Sequence, residues 1–386
     1  MSPKTTFRNG SILSPEGFVT DHVLTIAGDR IASLEASKSA SAGEAIDLDG
    51  GYLLPGFIDT QVNGGGGVLF NDDTSFEAIA AIGAAHRQYG TTGFLPTLIS
   101  DELEVIDAAM RAVEQAIEDG APGVLGIHIE GPFINEARKG THDPAKFRTL
   151  TDQSLKLLSG LKHGKTLVTL APETTTSGDI RTLTQAGVIV AAGHTDASYG
   201  RMAQAFNEGV TGITHLFNAM SPFTHRAPGV VGAALENQSI YCGLIIDGRH
   251  VDPVALKIAV RCRPHDRFMI VTDAMPTVGS QTKTFMLQDK LIRVEDGVCV
   301  GPDGTLAGSD LDMATAVKNA VEMVGLTLDE AAVMASAAPA RFLGLDAQYG
   351  VLNAGARADL VWLDRDLNLK GVWIGGEQSL SQKAAA

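Results

Sequence analysis

Val124-Leu125-Gly126-Ile127-His128-Ile129-Glu130 is a short apolar run that ends in a carboxylate. A run of this length is a strand, and its lack of regular polar alternation says that both faces are buried. The pattern recurs on both sides. Leu53 to Val62 and Gly93 to Ile99 lie upstream; Thr166 to Ala171, Val188 to Ala192, Gly212 to Leu216, Ile240 to Ile246 and Phe268 to Thr272 lie downstream. Helical segments separate them. After Ser100, Asp101 and Glu104 make a capping-box pattern, and Leu103, Ile106, Met110, Val113 and Ile117 recur at spacings of three and four. Eight such strands joined by helices predict an α/β fold, a closed (β/α)8 TIM-type barrel. A doubly wound open sheet is the competing architecture, but no topological switch point can be located for it.

The chain ends read differently. His22 to Ala27 and Arg30 to Leu34 flank Gly28-Asp29, a pair suited to a two-residue hairpin turn. Leu360 to Leu363 and Gly371 to Ile374 are strands separated by a polar turn. Neither end buries a core alone, so the two are expected to meet. They would form a small β-sandwich domain of residues 1–54 and 351–386, with 55–350 as the barrel. The run Gly64 to Gly67 does not open directly into a helix, so it reads as a plain flexible loop rather than a phosphate cradle.

Forty-five acidic against 30 basic side chains give a formal charge of -15 over 386 residues. That balance excludes a nucleic-acid partner, whose phosphates need a basic surface. An anionic ligand would have to be captured by locally placed positive groups. Three scattered cysteines offer no disulfide framework, and no apolar stretch has signal-peptide or membrane-spanning character. The expectation is a cytoplasmic protein without membrane contact.

Polar residues fall at the C-terminal ends of the apolar runs, the face that carries the active site in this architecture. They are Gln61-Val62-Asn63, His128-Ile129-Glu130, Gly193-His194, Thr214-His215, Asp247-Gly248-Arg249-His250 and Thr272-Asp273. Glu130, His194 and His215 together are a two-imidazole, one-carboxylate set, the donors of a catalytic zinc site with an open position. Such a site brings the pKa of bound water down to about 7. The competing reading, core histidines with ordinary partners, suits either histidine alone better than all three at matching strand ends. Asp273 is either a general acid/base beside that centre or a turn aspartate. His128 shares a strand face with Glu130 and reads slightly better as barrel filling. His22, His86, His163 and His265 are expected to be solvated; His225 is undecided.

These residues carry a resemblance that covers nearly the whole chain. It runs through Pro55-Gly56-Phe57-Ile58-Asp59, Gly90-Thr91-Thr92, His128-Ile129-Glu130-Gly131-Pro132-Phe133 and Lys139-Gly140-Thr141-His142. It continues through Ala192-Gly193-His194, Thr214-His215-Leu216-Phe217-Asn218-Ala219-Met220, Asp247-Gly248-Arg249-His250, Val271-Thr272-Asp273 and Ala358-Asp359-Leu360-Val361. The sequence resembles the N-acetylglucosamine-6-phosphate deacetylases of the amidohydrolase superfamily. The resemblance implies Glu130, His194 and His215 as metal ligands, and Asp273 as the catalytic acid/base. His142 would sit at the acetyl carbonyl with Thr141 beside it, and the Asn218-Ala219 backbone would contact substrate. Arg226 and His250, the latter in the Asp247 to His250 stretch, would bind phosphate. A homodimer is expected, with His250 completing the neighbour's site, and the loop Leu306-Ala307-Gly308 would close over the sugar.

Many superfamily members carry His-x-His where this chain has Gln61-Val62-Asn63, and amides are poor zinc ligands. One divalent ion per subunit is therefore expected, with Zn2+ ahead of Fe2+, Co2+ and Mn2+. The expected reaction is hydrolysis of the acetamide of N-acetylglucosamine 6-phosphate by metal-activated water. The alternatives are the N-acetylgalactosamine epimer, another amide, or a non-catalytic barrel that binds its ligand.

Overall fold

The computed structural model describes residues 4–37 and 44–381. Residues 1–3 and 382–386, the extremes of the expected β domain, lie outside the described residues, as does 38–43. The eight barrel strands are β1 (Phe57–Val62), β2 (Thr91–Ile99), β3 (Gly126–Glu130), β4 (Lys165–Leu170), β5 (Ile189–Ala192), β6 (Val210–Ile213), β7 (Tyr241–Leu244) and β8 (Phe268–Ile270). They pair in parallel in sequence order, and every residue of β1, β2 and β3 is buried. Continuous apolar runs are what a sheet covered on both faces requires. Register places Ile99 beside Glu130 and Glu130 beside Thr169, so the ends of β2, β3 and β4 share one rim.

The expected first strand, Leu53 to Val62, is in fact two. Tyr52–Pro55 pairs with Leu360–Leu363 and Ser11–Ser14, whereas Phe57–Val62 enters the barrel. Gly56 makes the break: a Cβ there would lie 2.0 Å from Thr92 Oγ1, so only glycine allows β1 and β2 to approach. The helix Leu103–Glu118 buries Ile106, Met110 and Val113 as its period demands, but its N-cap is Glu102 and makes no side-chain cap bond. Asp101 spends its carboxylate elsewhere, on Asn71 Nδ2 and Lys146 Nζ.

Both chain ends contribute to one six-stranded sheet, in the order Glu377–Ser381, Leu369–Ile374, Leu360–Leu363, Tyr52–Pro55, Ser11–Ser14, Gly17–Val19. A four-stranded sheet of N-terminal strands shares its core through Phe7, Leu24, Ile31, Leu53, Leu360 and Trp373. Phe7 meets Trp373 edge-to-face at 4.9 Å. The Gly28-Asp29 turn is present, with Ala27 paired to Arg30.

Two features differ from the sequence reading. Gly64–Gly65 and Val68–Leu69 form a small hairpin, and the Gly66 and Gly67 N–H groups donate to Val278 O and Pro276 O. The glycine run is therefore anchored rather than a plain flexible loop. A four-stranded antiparallel sheet, unforeseen, follows β8: Thr284–Leu287, Lys290–Glu295, Val298–Val300 and Leu306–Ser309. Its core residues Leu287, Ile292, Cys299 and Ala307 pack on Leu69, Ile99 and Met275, near the barrel rim. Among the described residues, no helix is long and apolar enough to cross a membrane.

Candidate metal centre and active site

Glu130 ends β3, and His194 and His215 lie two residues past β5 and β6. Glu130 Oε1 is 3.1 Å from His194 Nε2 and 3.0 Å from His215 Nε2, and the two nitrogens are 3.1 Å apart. A tetrahedral ion with bonds of about 2.0–2.1 Å has ligand–ligand edges of roughly 3.3 Å, so this triangle fits a divalent cation. His194 Nδ1 is 2.8 Å from the Arg138 carbonyl, which can only accept; the proton sits there and leaves the Nε2 lone pair for a metal. Burial alone would raise the Glu130 carboxyl, yet the two imidazoles hold it well below its ordinary range. His215 moves up against its own burial because Glu130 faces it.

The backbone at these positions is unusual. His194, His215 and Asp273 have φ of 48°, 29° and 53°, a region that non-glycine residues seldom adopt. Each is pinned by its surroundings: His194 O accepts from Asn135 N, His215 O from Asn218 N, and Asp273 O from Ser309 N. Local strain sustained in this way concentrates at functional sites.

Asp273 lies past β8, half-buried beside the triangle. Its Oδ1 accepts from Asn63 Nδ2 at 2.7 Å and Gln61 Nε2 at 3.1 Å, and the same Gln61 nitrogen reaches Glu130 Oε2 at 3.1 Å. Both amides of the Gln61-Val62-Asn63 stretch thus act as donors, and Gln61 bridges the two carboxylates. Burial first, and the Glu130 charge second, push the Asp273 carboxyl up.

His142 is also buried, and its ring centroid is 4.4 Å from that of His194. The Ser100 backbone N–H donates to Nδ1, so the ring proton is on Nε2. Burial and the neighbouring imidazole of His194 take its pKa down to about 3, which keeps the ring neutral.

A cavity of about 320 Å³ brings together Glu130, Thr141, His142, His194, His215, Asn218, Ala219, His250, Asp273 and Leu306, Ala307 and Gly308. Leu306 to Gly308 is an edge strand of the additional sheet rather than a loop. His250 lines the cavity of its own chain. Asp247 stands behind it: Oδ2 is 2.6 Å from His250 Nδ1, and Oδ1 accepts from the Arg249 and His250 N–H groups. Arg226 is not brought to this cavity. It is exposed and lines a separate hollow with Tyr199, Ser221 and Thr224.

His128 sits below the rim between Thr97 Oγ1 and Thr169 Oγ1, and burial lowers its pKa to about 4; it fills the barrel. His86 is not solvated. It is fully buried, bonded to Gly64 O, and burial takes its pKa to about 4. Sequence reasoning missed Ser100 and Arg138. Arg138 adjoins the Lys139-Gly140-Thr141-His142 stretch, but nothing local showed that the chain folds it against His194.

A barrel with this ligand set at its C-terminal rim defines a metal-dependent hydrolase, and comparison with known proteins agrees. The family model described as the amidohydrolase family matches residues 52–378, and the chain belongs to that family. A Shewanella sp. (strain ANA-3) N-acetylgalactosamine-6-phosphate deacetylase is 40% identical, covering 98% of this chain and 97% of that protein. The Bos taurus N-acetylglucosamine-6-phosphate deacetylase is 37% identical, covering 97% and 95%. The crystal structure of the Pasteurella multocida N-acetylglucosamine-6-phosphate deacetylase superposes with a TM-score of 0.94 at 34% identity, covering 97% of this chain and 99% of that one.

Proposed function

We propose that this chain hydrolyses the acetamide of N-acetyl-D-glucosamine 6-phosphate, giving D-glucosamine 6-phosphate and acetate. The observation that carries the reading is the convergence of the Glu130–His194–His215 triangle, Asp273 and His142 on one cavity. Glu130, His194 and His215 would hold a divalent ion, which would supply Lewis acidity and lower the pKa of a water to give a nucleophile at neutral pH. Asp273, held by Gln61 and Asn63 through Oδ1, keeps Oδ2 to take the water's proton and return it to the departing amine. The His142 Nε2–H donates to the acetyl oxygen as charge develops there, and Ser100 fixes that tautomer. Thr141 and the Asn218-Ala219 backbone contact the sugar, Leu306 to Gly308 covers it, and His250, oriented by Asp247, donates to the phosphate.

The ion is assigned as a single Zn2+ per subunit, with Fe2+, Co2+ and Mn2+ as alternatives. Nitrogen and carboxylate ligands suit zinc, and Gln61 and Asn63 are engaged as donors to Asp273 and Glu130. Two tightly held ions per chain by elemental analysis would overturn that count. The protein is assigned to the cytoplasm. Arg226 lies outside its own chain's cavity, so its phosphate contact is assigned to a homodimer in which a second copy supplies it.

The test is acetate release from N-acetylglucosamine 6-phosphate, run beside the unphosphorylated sugar and the galactosamine epimer. The second reading, an N-acetylgalactosamine-6-phosphate deacetylase, is favoured by the 40% identity to the Shewanella enzyme of that name. Preference for the epimer would select it and leave the chemistry unchanged. No release from any of the three, with metal bound, would overturn both.

A further inference from the structure

A phosphorylated substrate has to approach a chain of charge -15 and enter a cavity that already contains Glu130 and Asp273. Neutral imidazoles and backbone N–H groups can bond a phosphate but bring no permanent charge to balance it. Among the described residues that line the cavity, Arg138 is the one Arg or Lys. It also lines the adjoining hollow that contains Arg226, so it stands in the wall between the two.

The placement of Arg138 is fixed by its main chain. It closes a 3-10 turn, Glu136–Arg138, whose N-cap Asn135 accepts from Ala137 N and donates its own N–H to His194 O. The Arg138 carbonyl in turn accepts from His194 Nδ1. The main chain at Arg138 is thereby tied to a residue of the metal triangle, which fixes the root of the side chain relative to the reacting centre. Asp196 Oδ1 takes the Nε and Nη2 edge of the guanidinium at 2.8 Å for each contact. That pairing orients the fork and leaves the N–H groups of Nη1 without a partner among the described residues. About a third of the side chain is exposed, so an anion entering from solvent can meet it.

We propose that Arg138 is a specificity-determining residue, a substrate-binding cation supplied by the same chain that selects the phosphorylated over the unphosphorylated sugar. The inference rests on the proposed deacetylase reading. The two arginines then have separate roles, Arg138 acting within one chain and Arg226 acting across the dimer.

The experiment compares kcat/KM for N-acetylglucosamine 6-phosphate with that for N-acetylglucosamine, in the wild-type protein and in Arg138→Gln, Arg138→Lys and Arg226→Gln. Metal content is measured on every sample. The main-chain carbonyl at position 138 survives substitution, so bound metal should stay at the wild-type level. Loss of one charge-assisted contact predicts a fall of about tenfold or more in the phosphorylated-to-unphosphorylated ratio for Arg138→Gln. The fall should appear mainly in KM, with partial recovery in Arg138→Lys, which keeps the charge and loses the fork. A ratio in Arg138→Gln equal to that of the wild type overturns the proposal, whether both activities fall together or neither does. A wild-type protein without preference for the phosphorylated sugar would instead overturn the phosphate reading on which it rests.

Discussion

Asp273→Asn separates proton transfer from every other contribution of this residue. The hydrogen bonds show why the substitution is conservative in structure. Both amides, Gln61 Nε2 and Asn63 Nδ2, donate to Oδ1 alone, so an asparagine oriented the same way inherits both bonds through its own Oδ1. Its Nδ2 then occupies the position of Oδ2. The metal triangle does not include Asp273, so metal content should be unchanged. Burial and the Glu130 charge both oppose ionisation of Asp273, so a neutral amide relieves an unfavourable interaction and the melting temperature should hold or rise. What is lost is the group that accepts and returns a proton. General acid–base catalysis contributes about 10²–10⁴-fold, equivalent to roughly 3–5 kcal/mol of barrier. The assay is acetate release under saturating substrate, with metal content and melting temperature on the same preparation. Turnover within tenfold of the wild type, with metal retained, would refute Asp273 as the acid/base. Loss of the metal would refute the inherited hydrogen-bond geometry.

Three other outcomes follow from the same structure. His194→Ala removes one corner of the triangle and should strip the metal and lower the melting temperature; full metal occupancy after dialysis would contradict the assigned ligand set. His250→Ala should raise KM for the phosphorylated sugar by about tenfold or more, with a smaller change in kcat; a pure kcat effect would place His250 in the chemistry instead. Asp59 is a buried carboxyl that burial pushes up to about 7 from an ordinary 3.8, against the hydrogen bonds it accepts from Thr272 and Gln61. Its folded-state pKa lies above the unfolded one, so the folded state holds the extra proton. Stability from this group is therefore present below about pH 4 and is lost progressively as pH rises through about 7. The full swing is on the order of 4 kcal/mol. Asp59→Asn should flatten the decline in unfolding free energy between pH 5 and 8, and parallel wild-type and variant curves would contradict it.

The barrel was legible because its strands are buried on both faces, so each is written as an unbroken apolar run whatever its neighbours. The metal triangle was legible for a related reason: a carboxylate or imidazole at the end of such a run has few structural uses, and three at equivalent ends share one rim. The additional sheet after β8 escaped because its strands are short and half-exposed. One signal was present, Asp296-Gly297, a pair with φ of 49° and 85° that suits a two-residue hairpin. His86 was misjudged because its polarity was weighed without its partner, Gly64 O, which lies 22 residues upstream. Arg226 and His250 were assigned through resemblance alone. Which cavity each would face depends on loop paths that no local pattern encodes.

The joint between β1 and β8 also places the candidate site. The barrel strands pair in sequence from β1 through to β8, but β8 and β1 share no ladder of their own. The joint is made by an isolated bridge between Val62 and Ala274, the Asp273 N–H on Gln61 O, and the Thr272 hydroxyl on Asp59 Oδ2. Those bonds alternate in sequence with the ones that hold Asp273: Asp59 holds Thr272, Gln61 and Asn63 hold Asp273, and Gln61 reaches across to Glu130. Closing the barrel and aiming the proposed acid/base carboxylate are therefore the work of one network. It follows that a substitution at Asp59, which touches neither substrate nor metal ligand, should alter turnover along with stability through the placement of Asp273. A variant at the opposite side of the barrel, in the β4–β5 ladder, has no such route to Asp273. Equal effects on turnover from destabilising substitutions of matched size at the two places would show that the joint transmits nothing beyond stability.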